Sequence, residues 1–566
     1  MSFISELKRR RLVQVGVAYL VIAWGIAQVA DLLLENFQID EWVMQAVLVV
    51  LGIGWVLAVI LAWLFDLRWD GIHLESDVAR ELEQGGKAIA APVHEVENES
   101  IAVLAFVNMS SDPEQEYFSD GIAEELLNLL AKIPELRVAA RTSAFSYKGK
   151  DTQIDVIGRE LGVAHILEGS VRKAGKKVRI TAQLIRADTG YHLWSDTWDR
   201  TLDDIFEVQD EIAGVVVEEL KLTLLKPAPV VQETNPDAYA LYLQARYLTR
   251  QGTSEGYEQA LALLEQALAI APDYAPAWRQ LGVIYMTQAD RGLRPAQEGF
   301  QQGREATEMA LSIDPNNALA HASMARIAVS EDQDLSAAAR HIQTALSLNP
   351  SDSTILSAAA NLAEMLGRID SAIALQEFIV KRDPVQPTVH ANLGGSYFAA
   401  GRPEAAIPCY RTALRLSPDN IGLHLNLGLA LLANGETEAA MEEIARESFE
   451  ACRLIGEAMA YHDRGQAAQS DAALQQIIDK YGDDWAYNIA AVLAYRAEAD
   501  RAYEWLDKAA ENNDSGLVEI VTAPEFKNLH EEPRWNNFLS AIGKAPEQLA
   551  AIEFEVTLPS KGNSKS

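Results

Sequence analysis

Five prolines recur along the second half of the chain, each closing a similar apolar segment: Pro272 in ALAIAPD, Pro315 in ALSIDPN, Pro350 in ALSLNPS, Pro384 in IVKRDPV and Pro418 in ALRLSPD. They stand 43, 35, 34 and 34 residues apart. A proline ring cannot continue the helical hydrogen-bond ladder, so each marks the end of a helix. A unit of that size holds two helices and their connections, and it cannot bury its apolar face alone. The units must therefore stack into an all-α superhelical solenoid. The 43-residue step reads as one unit with an insertion around Asp290 to Gly299.

The clearest unit, Pro387 to Asn420, carries His390, Leu393-Gly394, Tyr397, Gly401, Ala406, Tyr410, Ala413 and Pro418. Gly394 and Ala406 allow two helices to approach closely, and Leu393, Tyr397 and Tyr410 fill the space between neighbours. Related positions recur as Trp278, Leu281-Gly282 and Tyr285, and as Leu427-Gly428 and Ala440. This pattern resembles the tetratricopeptide repeat (TPR). About seven or eight units are expected over 237–544, with Trp535, Phe538 and Leu539 in a cap and a flexible tail over 545–566. The inner groove of such a stack is lined by the first helix of each unit. Its expected partner-binding residues are Ala391, Gly395, Phe398, Leu425, Leu429 and Leu432. Their small or apolar character suits an apolar or helical segment of a protein partner. The alternative is that they pack against a folded-back cap or a neighbouring domain.

The chain has 566 residues, with 48 Lys and Arg against 81 Asp and Glu, for a formal charge of −33. That balance speaks against nucleic acid as a partner. Its two cysteines, Cys409 and Cys452, exclude a disulfide framework and a cysteine-based zinc module.

At the N-terminus, Lys8-Arg9-Arg10-Arg11 precedes apolar runs over about 12–34 and 43–65. Each is long enough as a helix to cross a hydrocarbon core of about 30 Å. The expectation is a transmembrane helical hairpin over 1–74, in contact with the lipid bilayer. Four basic residues before the first run and none in the loop place both ends in the cytoplasm by the positive-inside rule. A multi-pass membrane protein with cytoplasmic soluble domains follows, in the inner membrane if the chain is bacterial, as the resemblance given below implies. Asp31, inside the first run, reads as a residue near the outer headgroups rather than an embedded functional carboxylate. A linker is expected over 75–99.

Over 100–225 the order β-α-β-α-β-β-β-α is expected. Ile101 to Val107 reads as a buried strand, Ser119-Asp120-Gly121 opens a helix, and Lys173 to Lys177 turns a hairpin between Ala164–Arg172 and Val178–Ala187. His192 to Trp198 and a closing helix over Leu202–Leu220 complete a small α+β unit. A second linker follows over 226–236. The segments SIAVLAFVNMSSDPEQEYFSDGIAEELLNLL and LGVAHILEGSVRKAGKKVRITAQLIRADTGYHLWSDTWDR resemble the TolB-like (FlgO-like) domain of bacteria. FISELKRRRLVQVGVAYLVIAW and FDLRWDGI resemble the membrane segment that precedes that domain in multidomain proteins. The resemblance implies no catalytic residues.

The chemistry-bearing patterns are thin. There is no G-x-x-x-x-G-K-[ST] loop and no H-E-x-x-H. Asp120, Glu124 and Glu125 suit acid chemistry, but a capped, solvated helix start accounts for them, since carboxylates favour the positive end of the helix dipole. Arg141, Lys148 and Lys150 suit an anion, or a solvated loop. His165 and His192 are expected in or beside strands, and His321 and His341 on repeat helices, in the groove or at the surface. No catalytic, cofactor or metal site is expected. The multidomain chain reads as a non-enzymatic inner-membrane adaptor that binds partner proteins. The alternatives are a ligand-sensing regulatory protein, in which the TolB-like domain relays a signal to TPR-bound partners, and an enzyme of unrecognised type.

Overall fold

A computed structural model describes residues 65–68, 71–74, 98–133, 135–220, 233–482, 484–556 and 558. The chain divides into two compact units, Met1–Glu95 and Val96–Ser566. In the first, β1 (Phe65–Arg68) pairs antiparallel with β2 (Gly71–Leu74), Phe65 opposite Leu74. The expected membrane helices over 12–34 and 43–65 lie outside the described residues, apart from Phe65, which starts a strand. Among the described residues no helix is long and apolar enough to cross a membrane. On that finding the two-helix inner-membrane localisation, and with it bilayer contact through two helices, is corrected.

The second unit opens with a mixed sheet in the order β5-β3-β6-β7-β8. Its strands are β3 (Ser100–Val103), β5 (Arg137–Val138), β6 (His165–Ala174), β7 (Lys177–Arg186) and β8 (His192–Thr201), while β4 (Val107–Asn108) pairs with β6. β5, β3 and β6 run parallel, and β7 and β8 add antiparallel. The hairpin forms because Ala174 and Lys177 close a two-residue turn at Gly175. Helices α1 (Glu116–Ala131), α2 (Arg141–Phe145), α3 (Ile154–Leu161) and α4 (Ile205–Glu219) accompany the sheet. Ile180 and Trp198 point to α4 under the sheet, and the Trp198 indole donates to Glu211 at 2.6 Å. The short α2 has no counterpart in the sequence reading, since its five residues carry no legible period.

Eight helix pairs follow: α5 (Pro236–Thr249) with α6 (Ser254–Ile270), α7 (Ala275–Asp290) with α8 (Ala296–Ile313), α9 (Ala318–Ser330) with α10 (Leu335–Leu348), α11 (Ser353–Met365) with α12 (Ile369–Arg382), α13 (Pro387–Ala399) with α14 (Pro403–Leu416), α15 (Leu423–Ala433) with α16 (Thr437–Ile444), α17 (Glu450–Asp463) with α18 (Ala467–Tyr481) and α19 (Ala486–Tyr495) with α20 (Ala499–Glu511). Asn235 caps α5 by accepting from the amides of Asp237 and Ala238, with Pro236 pre-set for the first turn. Asn317 and Asp352 cap α9 and α11 in the same way. Close approach within a pair needs glycine. A Cβ at Gly428 would lie 2.5 Å from Ile444 Cγ1, and one at Gly394 would lie 2.9 Å from Tyr410 Cε1.

The α/β region and the start of the array share one apolar core. Phe118, Ile122 and Leu126 of α1 and Phe206 of α4 belong to the same buried cluster as Tyr239, Tyr242 and Leu243 of α5. Phe206 and Tyr239 stack with centroids 4.9 Å apart. A second contact joins the α/β region to the turns of the fourth pair. The Ser143 hydroxyl donates to Asp383 at 2.5 Å, the Ser351 hydroxyl to the Ala131 carbonyl at 2.8 Å, and Arg137 to the Lys381 carbonyl at 2.8 Å.

Beyond α20 the chain forms a cap with α21 (Pro533–Ala541) and α22 (Pro546–Ala550). Trp535, Phe538 and Leu539 are buried there, as expected of capping residues, and Phe526 stacks on Trp535. The expectation of a flexible tail from 545 is corrected for its first part. Leu549 and Phe554 are buried against the third and fourth pairs, because the Arg368 guanidinium holds the carbonyls of Ile552 and Phe554. Residues 557 and 559–566 lie outside the described residues.

Candidate partner-binding groove

The first helices of three successive pairs, α11, α13 and α15, present one side to a common cavity of about 350 Å³. Four of the six residues expected in the groove line it: Ala391, Gly395, Phe398 and Leu429. Leu425 and Leu432 do not. They are 8% and 5% exposed, in the apolar cluster that also holds Phe526 and Leu529 of the cap. Residues Glu519 and Thr522 to Glu525 close the far side of the cavity. Part of the expected lining is thus buried, and part faces the cavity.

The sequence reading missed the polar half of this site. Asn361 and Glu364 line the cavity, at the places in their repeat that Gly395 and Phe398 occupy 34 residues later. Asn392 and Asn426 form a second such pair, also 34 residues apart. The repeat period alone was enough to point to these four. Glu519 and Glu525 come from the cap, whose path no periodicity discloses. Burial raises the Glu519 carboxyl above its ordinary range. It does the same to Glu364, against a hydrogen bond accepted from Ser396 at 2.8 Å. Burial, reinforced by Glu519, pushes Glu525 up to about 7.

The carboxylates of α1 are not a solvated helix start. Glu124 accepts from Arg141 at 2.9 Å and also pairs with Arg246 and Arg250, while Glu125 pairs with Arg246. Lys148 lies 2.6 Å from both Glu116 and Asp120. Burial pushes the Glu124 carboxyl up, but Arg246, Arg250 and Arg141 together outweigh it and hold the group below its ordinary value. Glu124 and Glu125 lie in the middle of α1, covered by the end of α5, where Arg246 and the following Arg250 supply two of these arginines. This cluster joins two regions of the fold; its charges are spent on one another. Arg141 and Lys148 are therefore engaged rather than solvated, and Lys150 lies over the Tyr147 ring at 5.9 Å.

His321 and His341 face each other through Nδ1 atoms 3.1 Å apart, and His321 Nε2 is bonded to the Pro315 carbonyl. His165 is half-buried beside Ser100, and His192 is exposed. Among the described residues no group of three or more His, Cys, Asp or Glu is placed to hold a metal ion. A second cleft of about 500 Å³ lies beyond the carboxyl end of β3, with Asn108, Lys150, Glu168 and Gln183 in its lining.

Comparison with known proteins agrees with the repeat geometry. The model of the TPR repeat matches residues 394–435, and a tetratricopeptide repeat model matches 324–387. A protein of Rhizobium meliloti (strain 1021) named "Putative adenylate cyclase 3" is 44% identical over 192 residues. That match spans 33% of this chain and 33% of the relative, so the chain covers about a third of that protein's length. Among solved structures, Pseudomonas aeruginosa pilF is 20% identical with a TM-score of 0.31, covering 37% of this chain and 92% of its own. YrrB, a TPR protein with an unusual peptide-binding site, is 22% identical with a TM-score of 0.24, covering 35% and 92%. Tetratricopeptide repeats are thus matched over 324–387 and 394–435, within a helical solenoid of the eight pairs described above.

Proposed function

We propose that this chain is a non-enzymatic scaffold that captures a segment of a partner protein in the groove across α11, α13 and α15. The observation that carries this reading is the open cavity on three successive repeats, with Ala391, Gly395, Phe398 and Leu429 on its wall. Apolar side chains in a concave site supply binding energy in proportion to the area they cover. The α/β region over 100–225 serves as a second binding module, in keeping with its resemblance to TolB-like domains, and the array with its cap occupies 237–544. Phe398→Ala in the full chain tests the groove. It removes a large half-buried ring at the wall, so partner capture falls while the helical signal and melting curve change little. Undiminished capture by the folded variant would sink this reading. Removing the whole array is a poorer test, because it strips Tyr239 and Leu243 from the core of the α/β region.

Two further readings have one observation each. The cleft beside β3 favours a small-ligand role for the α/β region, tested by a melting shift on titration with metabolite pools. The 44% identity to a protein with an adenylate cyclase name favours that activity. Formation of cyclic AMP from ATP by the purified chain would establish it.

A further inference from the structure

The groove has a chemical bias that its apolar wall does not explain. Three carboxylates, Glu364, Glu519 and Glu525, line one cavity, and no Lys or Arg does. Among the described residues none of the three has an ion-pair partner. All three also raise the pKa of the buried Tyr410 phenol, after burial itself. Although part of Glu525 reaches solvent, its carboxyl sits deep in the protein, facing the cavity without a side-chain partner. Unpaired carboxylates held together in a low-dielectric site are costly, and a cation among them relieves both desolvation and mutual repulsion. Glu364 comes from α11 and Glu519 and Glu525 from the cap, a spread that fits an elongated cation better than a single metal ion, and no metal-holding group is found among the described residues.

The same cavity carries a second, independent signal. Asn361, Asn392 and Asn426 come from three successive repeats, Asn392 half-buried and the other two exposed, and no side-chain hydrogen bond ties any of them to the rest of the described chain, so their carboxamides are open to a ligand. A carboxamide offers donors and an acceptor, the pair that a peptide main chain needs. Three of them in a row suit an extended segment rather than a helix, whose main-chain groups are already paired.

We propose that the space between α11, α13, α15 and the cap seats an extended basic segment of a partner protein. Its Lys or Arg side chain lies among Glu364, Glu519 and Glu525, and its main chain lies along Asn361, Asn392 and Asn426. The proposal rests on the scaffold reading and specifies its partner's chemistry.

Selection of random short peptides on the immobilised full chain, near neutral pH and at low salt, tests it. Peptides with Lys or Arg at a fixed place should be enriched. A representative basic peptide should bind about tenfold or more weakly to Glu364→Gln/Glu519→Gln/Glu525→Gln, the loss expected for charge-assisted contacts. Replacing its cation by norleucine should have the same effect, and added salt should weaken it. These variants remove charges that burial disfavours, so they are expected to fold. Enrichment of acidic or uncharged peptides, unaffected by the triple substitution but lost in Phe398→Ala, would overturn the basic-segment proposal and leave the scaffold reading standing. Selection of no peptide by the groove would overturn both.

Discussion

Glu124→Gln is the sharpest test of how the α/β region and the repeats are joined. In the wild type, Glu124 and Glu125 face Arg141, Arg246 and Arg250 at the contact of α1 with α5. The Glu124 side chain is 6% exposed and that of Arg246 12%, so water screens the cluster poorly. The substitution keeps the shape and removes one charge, leaving Glu125 alone against three guanidiniums. Breaking a buried pair in this way costs about 3–5 kcal/mol, mostly from the charge left uncompensated. Whole domains are stable by only about 5–15 kcal/mol. Urea unfolding followed by tryptophan fluorescence should therefore show the α/β region, with Trp194 and Trp198, melting earlier and apart from the distal repeats. The pH dependence has a defined sign. Glu124 titrates below its ordinary value when folded, so its stabilisation is present above the ordinary carboxylate range and is lost as pH falls through the folded pKa. The gap between wild type and variant should thus be full near neutrality and close only in acid. Arg159→Gln is the control, since Arg159 and Asp155 are 72% and 47% exposed and such pairs contribute about 0–1 kcal/mol. A loss in Glu124→Gln no larger than in this control would refute the reasoning.

Gly428→Ala should cost about 1–3 kcal/mol by overpacking, because the new methyl meets Ile444 Cγ1 at 2.5 Å; thermal melting by circular dichroism measures it. Ser143→Ala should cost about 1–3 kcal/mol, since it takes the hydroxyl donor from buried Asp383 and leaves it only the residue 143 amide; faster amide exchange around 383–386 would accompany it. Glu525→Gln should stabilise the chain. With a folded pKa of about 7 against an unfolded value near ~4.3, the wild type loses stability as pH rises through that window. The variant should gain up to about 4 kcal/mol above the window and nothing below it, read from melting curves across pH.

The repeats were legible in the sequence because proline, glycine and the 34-residue step all express one packing geometry. Leu393, Gly394, Tyr410 and Pro418 each have a local reason for their place, and the structure sets eight pairs where the period suggested seven or eight. The sheet was legible for the same reason, through the alternation in Val178–Ala187 and the turn at Gly175. What failed was any feature set by distant chain. Leu425 has the same place in its repeat as Ala391, yet it is buried among the later repeats. Glu124 reads as a helix-start carboxylate until α5, more than a hundred residues later, brings Arg246 and Arg250 to it. Phe554 reads as part of a loose tail until Arg368 binds the carbonyl beside it.

The central claim is that the open groove, not the outer face of the repeats, holds the partner. A photo-crosslinking amino acid placed at Phe398, and in a separate chain at exposed Gln476 of α18, tests it in the producing cell. The account predicts a discrete cross-linked protein from position 398 that is absent from position 476 and is lost when Glu364, Glu519 and Glu525 are changed to Gln. Equal labelling from both positions, or none from 398 in a folded chain, would contradict it.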